Sequence, residues 1–404
     1  MAIKISRAIE GDRVIRVQTV RVDGEETTWT VLGEDHLPFE PAELYLEHLR
    51  QTQSSPNTIR SYARALQLWL VYLHGRDREW DAYQLEDLTG FVAWMRSGLP
   101  PGVAPLHGTP SRVSDSTAAL RLQGVRSFYV FHEWRGMRFD PQLFSFRDAR
   151  SPYAPMLAHL RSRRAGGAVT VKVTRRRVNA PVLTPAQIDA IKNACGRFNA
   201  ETGTWTGSVR DRFFFALLEE TGLRMGEALS LQHRDWHSGS GASPFIEVVP
   251  RAHPHGARVK GGHYRKIYIS DDLDSLYAEY LWQVCDLGID LIVDDLDSSY
   301  VFVNLRGGER FAPIRPETIY KLVERIRRHL GDQVPARWSP HWFRHSHATA
   351  MLLAGRPIHV VSRRLGHSDI QTTLNTYAWV TEDDELRALA DWRGSTSGWR
   401  DDEK

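Results

Sequence analysis

Two arginines, two histidines and a tyrosine in the C-terminal half of the chain carry the functional groups that phosphodiester cleavage requires. His341 and Arg344 stand close together, His367 and Tyr377 follow them, and Arg224 precedes them. Guanidinium and imidazole groups can bind the oxygens of a phosphate. A phenol can attack phosphorus as a nucleophile and stay covalently attached. The set therefore predicts cleavage of a DNA strand through a phosphotyrosine.

A helix start is predicted beside two of these residues. Negative charge grows on the nonbridging oxygens in the transition state, so positioned cations should be the largest catalytic contribution. Ser339 and Pro340 have the residue types of an N-cap and a first helical position. His341 and Arg344 would then share a face in the first turn, with the positive end of the helix toward the anion.

The leaving 5′ oxygen needs a proton, and a lysine on a turn can supply it. Lys260 is followed by two glycines in residues 259–262, which predict such a turn. We therefore expect Lys260 to be the general acid. Lys266, in the strand that follows, is not excluded by the sequence.

Three histidines in residues 341–347 also have the residue type of zinc ligands. Neither a cysteine nor a carboxylate completes a plausible zinc site with His341, His345 and His347. We therefore predict no metal site, and the phosphotyrosine chemistry requires neither a metal nor a nucleotide cofactor.

Five segments of the chain together resemble one known family. They are residues 221–227, 259–261, 341–349, 365–368 and 372–377. In residue type and order they resemble the tyrosine recombinase family, also called the phage integrase family. The resemblance is strong over residues 180–385 and looser over 38–150.

The resemblance implies a role for individual residues. The implied catalytic residues are Arg224, Lys260, His341, Arg344, His367 and Tyr377. The two arginines would clamp the phosphate, and the two histidines would add donors to it. Tyr377 would form a 3′-phosphotyrosyl bond, and Lys260 would protonate the released 5′-hydroxyl. Glu227 would be a structural acid that orients the site, although an ion pair with no catalytic role fits the sequence equally well.

The predicted fold class is α+β, mainly α with a small β-sheet. Two β-rich runs around Asp23-Gly24 predict a hairpin, which would pack on the next domain or on a partner. Apolar residues then recur at helical spacing, and a basic stretch separates two helical regions. The expected parts are an N-terminal β-hairpin extension (1–37), a helical, SAM-like core-binding domain (38–160), a basic linker (161–180), a catalytic domain (181–392) and a flexible tail (393–404).

Clustered cations mark the expected DNA-binding surfaces. Two predicted helices and the linker carry them: Arg60, Arg64, Arg121, Arg126, Arg175, Arg176 and Arg177. Such side chains can neutralise phosphates. Ordinary solvated helix faces are the alternative for the two helices, and a merely disordered segment is the alternative for the linker.

Composition restricts the class of protein less than the motifs do. The chain has 404 residues, 42% hydrophobic and 25% charged, with a net charge of +3, so global charge does not by itself identify a DNA-binding protein. Two cysteines fit a reducing compartment, and neither a signal peptide nor a long apolar run is evident. We expect a cytoplasmic protein that does not enter a membrane.

Taken together, these features predict a site-specific DNA recombinase or integrase. It would cleave and rejoin strands through the phosphotyrosine and a Holliday junction, and mobile-element integration or transposition is favoured over dimer resolution. Its partners would be double-stranded DNA with specific sites, further copies of the chain in a tetramer, and accessory DNA-bending proteins. After the nucleophile, residues 382–392 predict a helix that docks on its own domain or on a neighbouring protomer. A type IB topoisomerase and a catalytically idle DNA-binding regulator are the alternatives.

Overall fold

The computed structural model describes residues 15–22, 26–99, 111–139, 171, 179–239, 243–251, 253–256, 264–367 and 369–377. The chain divides into two compact units, Met1–Arg176 and Arg177–Lys404. Several predicted features lie outside the described residues: Lys260, Arg175–Arg177, Ser368, the segment 382–392 and the tail 393–404.

Unit 1 contains a hairpin and four helices within the described residues. Their bounds are β1 Arg16–Val22, β2 Glu26–Leu32, α1 Glu40–Gln51, α2 Pro56–His74, α3 Leu85–Ser97 and α4 Asp115–Trp134. The hairpin forms as predicted, with Val17 opposite Val31. It packs within its own unit, because Val31 belongs to the core and Gln67 Nε2 donates to the Ile15 carbonyl at 3.0 Å.

Local sequence signals fix the starts of the two helices that carry the predicted cations. Ser55 caps α2 by accepting a hydrogen bond from the Thr58 amide, and Ser114 caps α4 in the same way through Thr117. Between the helices, the indole of Trp69 is fully buried and donates to Tyr129 Oη at 2.7 Å. This pairing satisfies the polar atom that burial of a tryptophan would otherwise leave without a partner.

Unit 2 is also mainly helical, with small antiparallel sheets. Its elements are α5 Pro185–Cys195, β3 Gly196–Asn199, β4 Thr204–Gly207, α6 Val209–Thr221, α7 Met225–Leu229, β5 Trp236–His237, β6 Phe245–Val248, β7 Arg265–Tyr268, α8 Asp271–Asp286, α9 Pro316–Leu330, α10 Pro340–Leu353, α11 Ile358–Leu365 and α12 Ile370–Tyr377. Strands β3 and β4 pair, and β5, β6 and β7 form a three-stranded sheet in that order. The predicted α+β class is confirmed.

Helix α6 is the centre of unit 2. Apolar side chains lie on every face of it, and Phe213, Phe214 and Phe215 are all essentially inaccessible to solvent. Residues 213–218 of this helix are all apolar and must be covered on all sides, and α5, α8 and α10 pack against it. Its C-terminal end therefore sits at a fixed place in the core, directly before Gly222 and Arg224. Within the described ranges, no helix has both the length and the apolar character needed to cross a bilayer.

Candidate active site

Arg344 is the most deeply buried of the predicted site cations that the structure describes. It lies in the first turns of α10, where Ser339 and Pro340 take the predicted N-cap and first positions, although the Ser339 side chain makes no cap hydrogen bond. Only 1% of Arg344 is exposed. Its Nη1 donates to the Gly222 carbonyl at 2.8 Å and its Nη2 to the Leu365 carbonyl at 2.6 Å. Two backbone oxygens thus fix the plane of this guanidinium.

The surroundings of Arg344 disfavour its positive charge. Burial, and next the positive charge of Arg224, lower the pKa of Arg344 to about 9. The guanidinium therefore remains protonated at neutral pH. Since Arg224 and Arg344 repel each other, a bound anion between them would relieve that repulsion.

Arg224 is oriented by a carboxylate one turn along the chain. It occupies the N-cap of α7, and its Nη1 donates to Glu227 Oε1 at 2.8 Å while its amide donates to Oε2 at 2.8 Å. The Glu227 side chain is fully buried. Glu227 thus forms an ion pair that orients Arg224, and its role as a structural acid of the site stays a prediction.

Arg265 is the second partner of Glu227, and sequence reasoning missed it. Its Nη2 donates to Glu227 Oε2 at 2.7 Å, and its Nε donates to the Arg364 carbonyl at 3.1 Å. Burial on its own would raise the pKa of Glu227, but hydrogen bonds and charge from Arg265, then from Arg224, lower it instead. Strand alternation could have found Arg265, because it is in phase with the buried Ile267 and Ile269.

Two glycines allow the helix ends to approach the arginines. Gly222 has φ +64° and Gly366 has φ +65°, and both cap helices in the left-handed conformation. A Cβ at Gly222 would lie 2.6 Å from His347 Cδ2, and one at Gly366 would lie 2.7 Å from Arg265 Nη1. The conformation therefore favours glycine at both positions, and the ring of His347 also leaves no space for a Cβ at Gly222.

The predicted nucleophile Tyr377 lies at the end of α12 and is 2% exposed. Burial raises the pKa of Tyr377 to about 12, and the nearby charges of Arg344 and Arg224 oppose this shift. Its Oη lies 2.9 Å from Nδ1 of His345. The structure therefore brings Tyr377 to the two predicted phosphate-binding arginines and to an imidazole that had no assigned role.

The other predicted histidines occupy different environments. His367 follows the Gly366 cap, and its Nδ1 lies 2.7 Å from Oγ1 of the buried Thr373 on α12. Burial, and next the charge of Arg344, lower the pKa of His367 to about 4. His341 is exposed, and its ring contacts that of His345 with centroids 4.5 Å apart. His367 is thus tied to the helix that carries the tyrosine.

His347 turns away from the tyrosine. Its Nδ1 lies 2.9 Å from the Glu219 carbonyl, and its Nε2 accepts from Arg364 Nε at 3.1 Å. Burial, and next the charge of Arg364, lower the pKa of His347 to about 3. His345 and His347 therefore have separate partners, and His347 helps to hold the end of α6.

Of the two candidate general acids, the structure describes Lys266 but not Lys260. Lys260 lies outside the described residues. Lys266 is exposed on β7, and its Nζ lies 3.2 Å from the ring centroid of Phe245 and 4.9 Å from that of Tyr268. Since alternate residues of a strand face opposite sides, Lys266 points away from the side on which Arg265 meets Glu227.

In unit 1, the four predicted DNA-binding arginines on α2 and α4 are described. Arg60 and Arg64 are exposed, while Arg121 and Arg126 are half-buried. Burial, and next the charge of Arg64, lower the pKa of Arg121. Arg126 Nε and Nη2 are buried and have no hydrogen-bond partner within the described part of the chain. None of these four arginines forms an ion pair with a carboxylate in the described part of the chain.

Comparison with known proteins relates both units to the same family. The model of the phage integrase family matches residues 181–383, and that of the phage integrase N-terminal SAM-like domain matches residues 42–136. Transposase A from transposon Tn554 of Staphylococcus aureus is 27% identical over 92% of this chain and 96% of its own length. Tyrosine recombinase XerC of Nitrobacter winogradskyi is 27% identical over 81% of this chain and 86% of its own.

Solved structures show the same fold at lower sequence identity. The Tn1549 transposon integrase in complex with transposon right end DNA has a TM-score of 0.54 and 18% identity, covering 88% of this chain and 98% of that one. The XerH site-specific recombinase bound to palindromic difH substrate has a TM-score of 0.53 and 17% identity, covering 84% and 81%.

Proposed function

The chain belongs to the phage integrase family and is a tyrosine-type site-specific DNA recombinase, and we propose that it integrates or transposes a mobile genetic element. The full-length similarity to a transposon-encoded transposase supports this task. The fold shared with a transposon integrase is consistent with it. The observation that carries the strand-cleavage chemistry of this proposal is the site itself, where the buried Tyr377 contacts His345, the residue next to the oriented Arg344.

Arg224 and Arg344 bind the nonbridging oxygens of the scissile phosphate in this proposal. Each has part of its guanidinium hydrogen-bonded to the protein, to Glu227 in one case and to two carbonyls in the other. The N–H groups without a hydrogen-bond partner in the described part of the chain would meet the phosphate in a fixed orientation. Donors fixed before the reaction need no reorganisation as charge develops, which makes them effective in the transition state. His341 and His367 add donors at the edge of the same site.

Tyr377 is the proposed nucleophile. Its Oη forms a bond to phosphorus, the bond from phosphorus to the 5′ oxygen breaks, and that oxygen takes a proton from Lys260. The products are a 3′-phosphotyrosine and a free 5′-hydroxyl. Attack by the 5′-hydroxyl of a partner strand reverses these steps and completes the exchange. The bond energy is conserved in the covalent intermediate, so the exchange needs no added nucleotide.

Unit 1 and the basic linker supply the proposed DNA contacts. Arg60, Arg64, Arg121 and Arg126 neutralise phosphates from α2 and α4, and the linker, with proposed bounds 161–180, adds Arg175–Arg177. The exposed side chains of Arg60 and Arg64 on α2 support this assignment, because they can reach a phosphate from solvent.

The proposed working assembly is a tetramer on two DNA sites in the cytoplasm, where exchange proceeds in pairs of strands through a Holliday junction. Accessory DNA-bending proteins are proposed as further partners. The segment 382–392 is the proposed contact between protomers. The number of protomers follows from the chemistry, because exchange between two duplexes needs four cleaved strands and thus four tyrosines.

Trapping of the covalent intermediate tests the proposal. A nicked duplex with the end sequence of the element loses a short fragment on cleavage, so the adduct cannot be religated. Wild type and Tyr377→Phe are incubated with this duplex without divalent metal and resolved on a denaturing gel. We expect an adduct from wild type alone, with equal duplex binding by both proteins. Binding without an adduct from wild type would overturn the proposed chemistry.

A further inference from the structure

The roles proposed above leave the phenolic proton of Tyr377 without an acceptor. A neutral phenol is a weak nucleophile, and transfer of its proton must accompany attack. We propose that His345 is the general base that takes this proton, a role that rests on the proposed function of the site. Its Nδ1 lies 2.9 Å from Tyr377 Oη, within direct proton-transfer distance.

The fold holds this contact from both sides. His345 lies on α10, directly after Arg344, whose guanidinium is fixed by two carbonyls. Tyr377 ends α12, a helix tied to the end of α11 by the contact between His367 and Thr373. The rings of His345 and Tyr377 are 5.8 Å apart between centroids. Each helix is thus held by contacts of its own. His345 Nδ1 and Tyr377 Oη therefore meet directly, without a flexible side chain between them.

The surroundings of His345 keep its imidazole neutral and able to accept a proton. Burial lowers the pKa of His345 to about 4, and the groups that face it, His341 and Arg344 on α10 and His367 after α11, act in the same direction. In the resting site the proton therefore stays on Tyr377. A bound phosphate brings negative charge next to the imidazole and stabilises the imidazolium that forms during attack.

His345 and Lys260 together account for both protons that move in the step. As the bond from Oη to phosphorus forms, the phenolic proton moves to His345 Nδ1. As the bond to the 5′ oxygen breaks, that oxygen receives the proton of Lys260. During rejoining, Lys260 takes the proton of the attacking 5′-hydroxyl, and His345 returns its proton to the departing phenolate.

A substrate with sulfur at the scissile bond separates deprotonation of the nucleophile from protonation of the leaving group. If a 5′ bridging sulfur replaces oxygen at the scissile bond, the leaving group departs as a thiolate and needs no acid. Single-turnover cleavage of this substrate by wild type then reports the nucleophile side alone. With His345 as the base, the rate is flat from about pH 6 to 8, above the range in which the imidazole is protonated. A rise of about tenfold per pH unit across that interval would mean that the phenol ionises directly, and it would overturn the proposal.

His345→Gln tests the role by substitution. Glutamine retains a hydrogen-bond acceptor but cannot carry the proton, so we expect cleavage of both the oxygen and the sulfur substrate to slow by roughly 10²-fold or more. The matched control is His359→Gln, which removes an exposed imidazole on α11 and should cleave at the wild-type rate. Wild-type cleavage by His345→Gln would assign His345 a packing role and overturn the proposal.

Chemical rescue distinguishes lost chemistry from lost structure. His345→Ala leaves a ring-sized space beside Tyr377, and added imidazole should restore part of the cleavage rate. Pyrazole has nearly the same shape but is a far weaker base, and it should restore none. Equal rescue by both compounds would indicate a packing role. If wild type itself forms no adduct, the proposed function fails, whereas an active wild type with an unaffected His345→Gln variant refutes the general base alone.

Discussion

Removing the charge of Glu227 should damage the stability of unit 2 more than removing any exposed carboxylate. Glu227→Gln keeps the shape of the side chain but leaves Arg265, whose side chain is 8% exposed, without its counter-charge. Breaking a buried ion pair by removing one partner costs about 3–5 kcal/mol. For a domain of this size that corresponds to a fall of about 6–20 °C in the midpoint of thermal unfolding.

A second ion pair in the same unit provides a matched control. Glu227 and Arg224 are three residues apart with a 2.8 Å contact, and Glu324 and Arg327 are three apart with a 2.9 Å contact. Their burial differs, because the Glu227 side chain is 0% exposed and that of Glu324 is 57% exposed. Since exposed pairs contribute little, Glu324→Gln should leave the unfolding midpoint unchanged. Calorimetry of wild type and both variants measures the difference.

The effect of Glu227 should also depend on pH. Its pKa is lowered in the folded state, so its contribution is complete above the unfolded pKa of about 4.5. The contribution is lost as pH falls through the lower, folded value. The gap in stability between wild type and Glu227→Gln should therefore be constant near neutral pH and shrink below about pH 4.5. Equal midpoints for Glu227→Gln and Glu324→Gln at neutral pH would refute the reasoning.

Three further predictions concern the glycine cap, the general acid and the DNA contacts. Gly222→Ala places a Cβ 2.6 Å from a buried ring at φ +64°, and should lower the unfolding free energy by more than Gly256→Ala, which meets open space at φ +72°. Calorimetry should show a loss of about 1–3 kcal/mol for the first variant, and equal losses would contradict the packing argument. Lys260→Ala should slow strand cleavage by roughly 10²-fold or more, with recovery on the 5′ sulfur substrate, while Lys266→Ala retains the wild-type rate. The reverse order would make Lys266 the acid. Arg126→Ala should reduce the slope of log binding constant against log salt concentration by about 1. An unchanged slope would remove Arg126 from the DNA interface.

Much of the fold follows from short-range sequence patterns. Ser55 and Ser114 cap their helices through amides only three residues away, so the chemistry of each start is contained in its own segment. Strands β1 and β2 are close together in the sequence, and their pairing also formed as predicted. The position of Arg344 near the start of α10 follows from Pro340 for the same reason.

The candidate site depends on contacts between distant parts of the chain. Arg265 and Glu227 are 38 residues apart, and Arg344 and Gly222 are 122 apart. Residue types alone do not specify such pairs, because any of several arginines could satisfy one buried carboxylate. Adjacent residues of strand β7 point to opposite faces. Arg265 therefore reaches Glu227, whereas Lys266 is exposed and packs on aromatic rings.

By itself the sequence determined which chemistry was possible, since the order and types of its arginines, histidines and tyrosine indicate phosphotyrosine formation. Only the tertiary structure decided which groups meet. It placed His345 rather than His341 or His347 at Tyr377 Oη, because α12 packs on α11, and α11 on α10, at the level of that residue. The physical reason is that helix periodicity sets which residues share a face, whereas the packing of one helix on another sets what that face contacts.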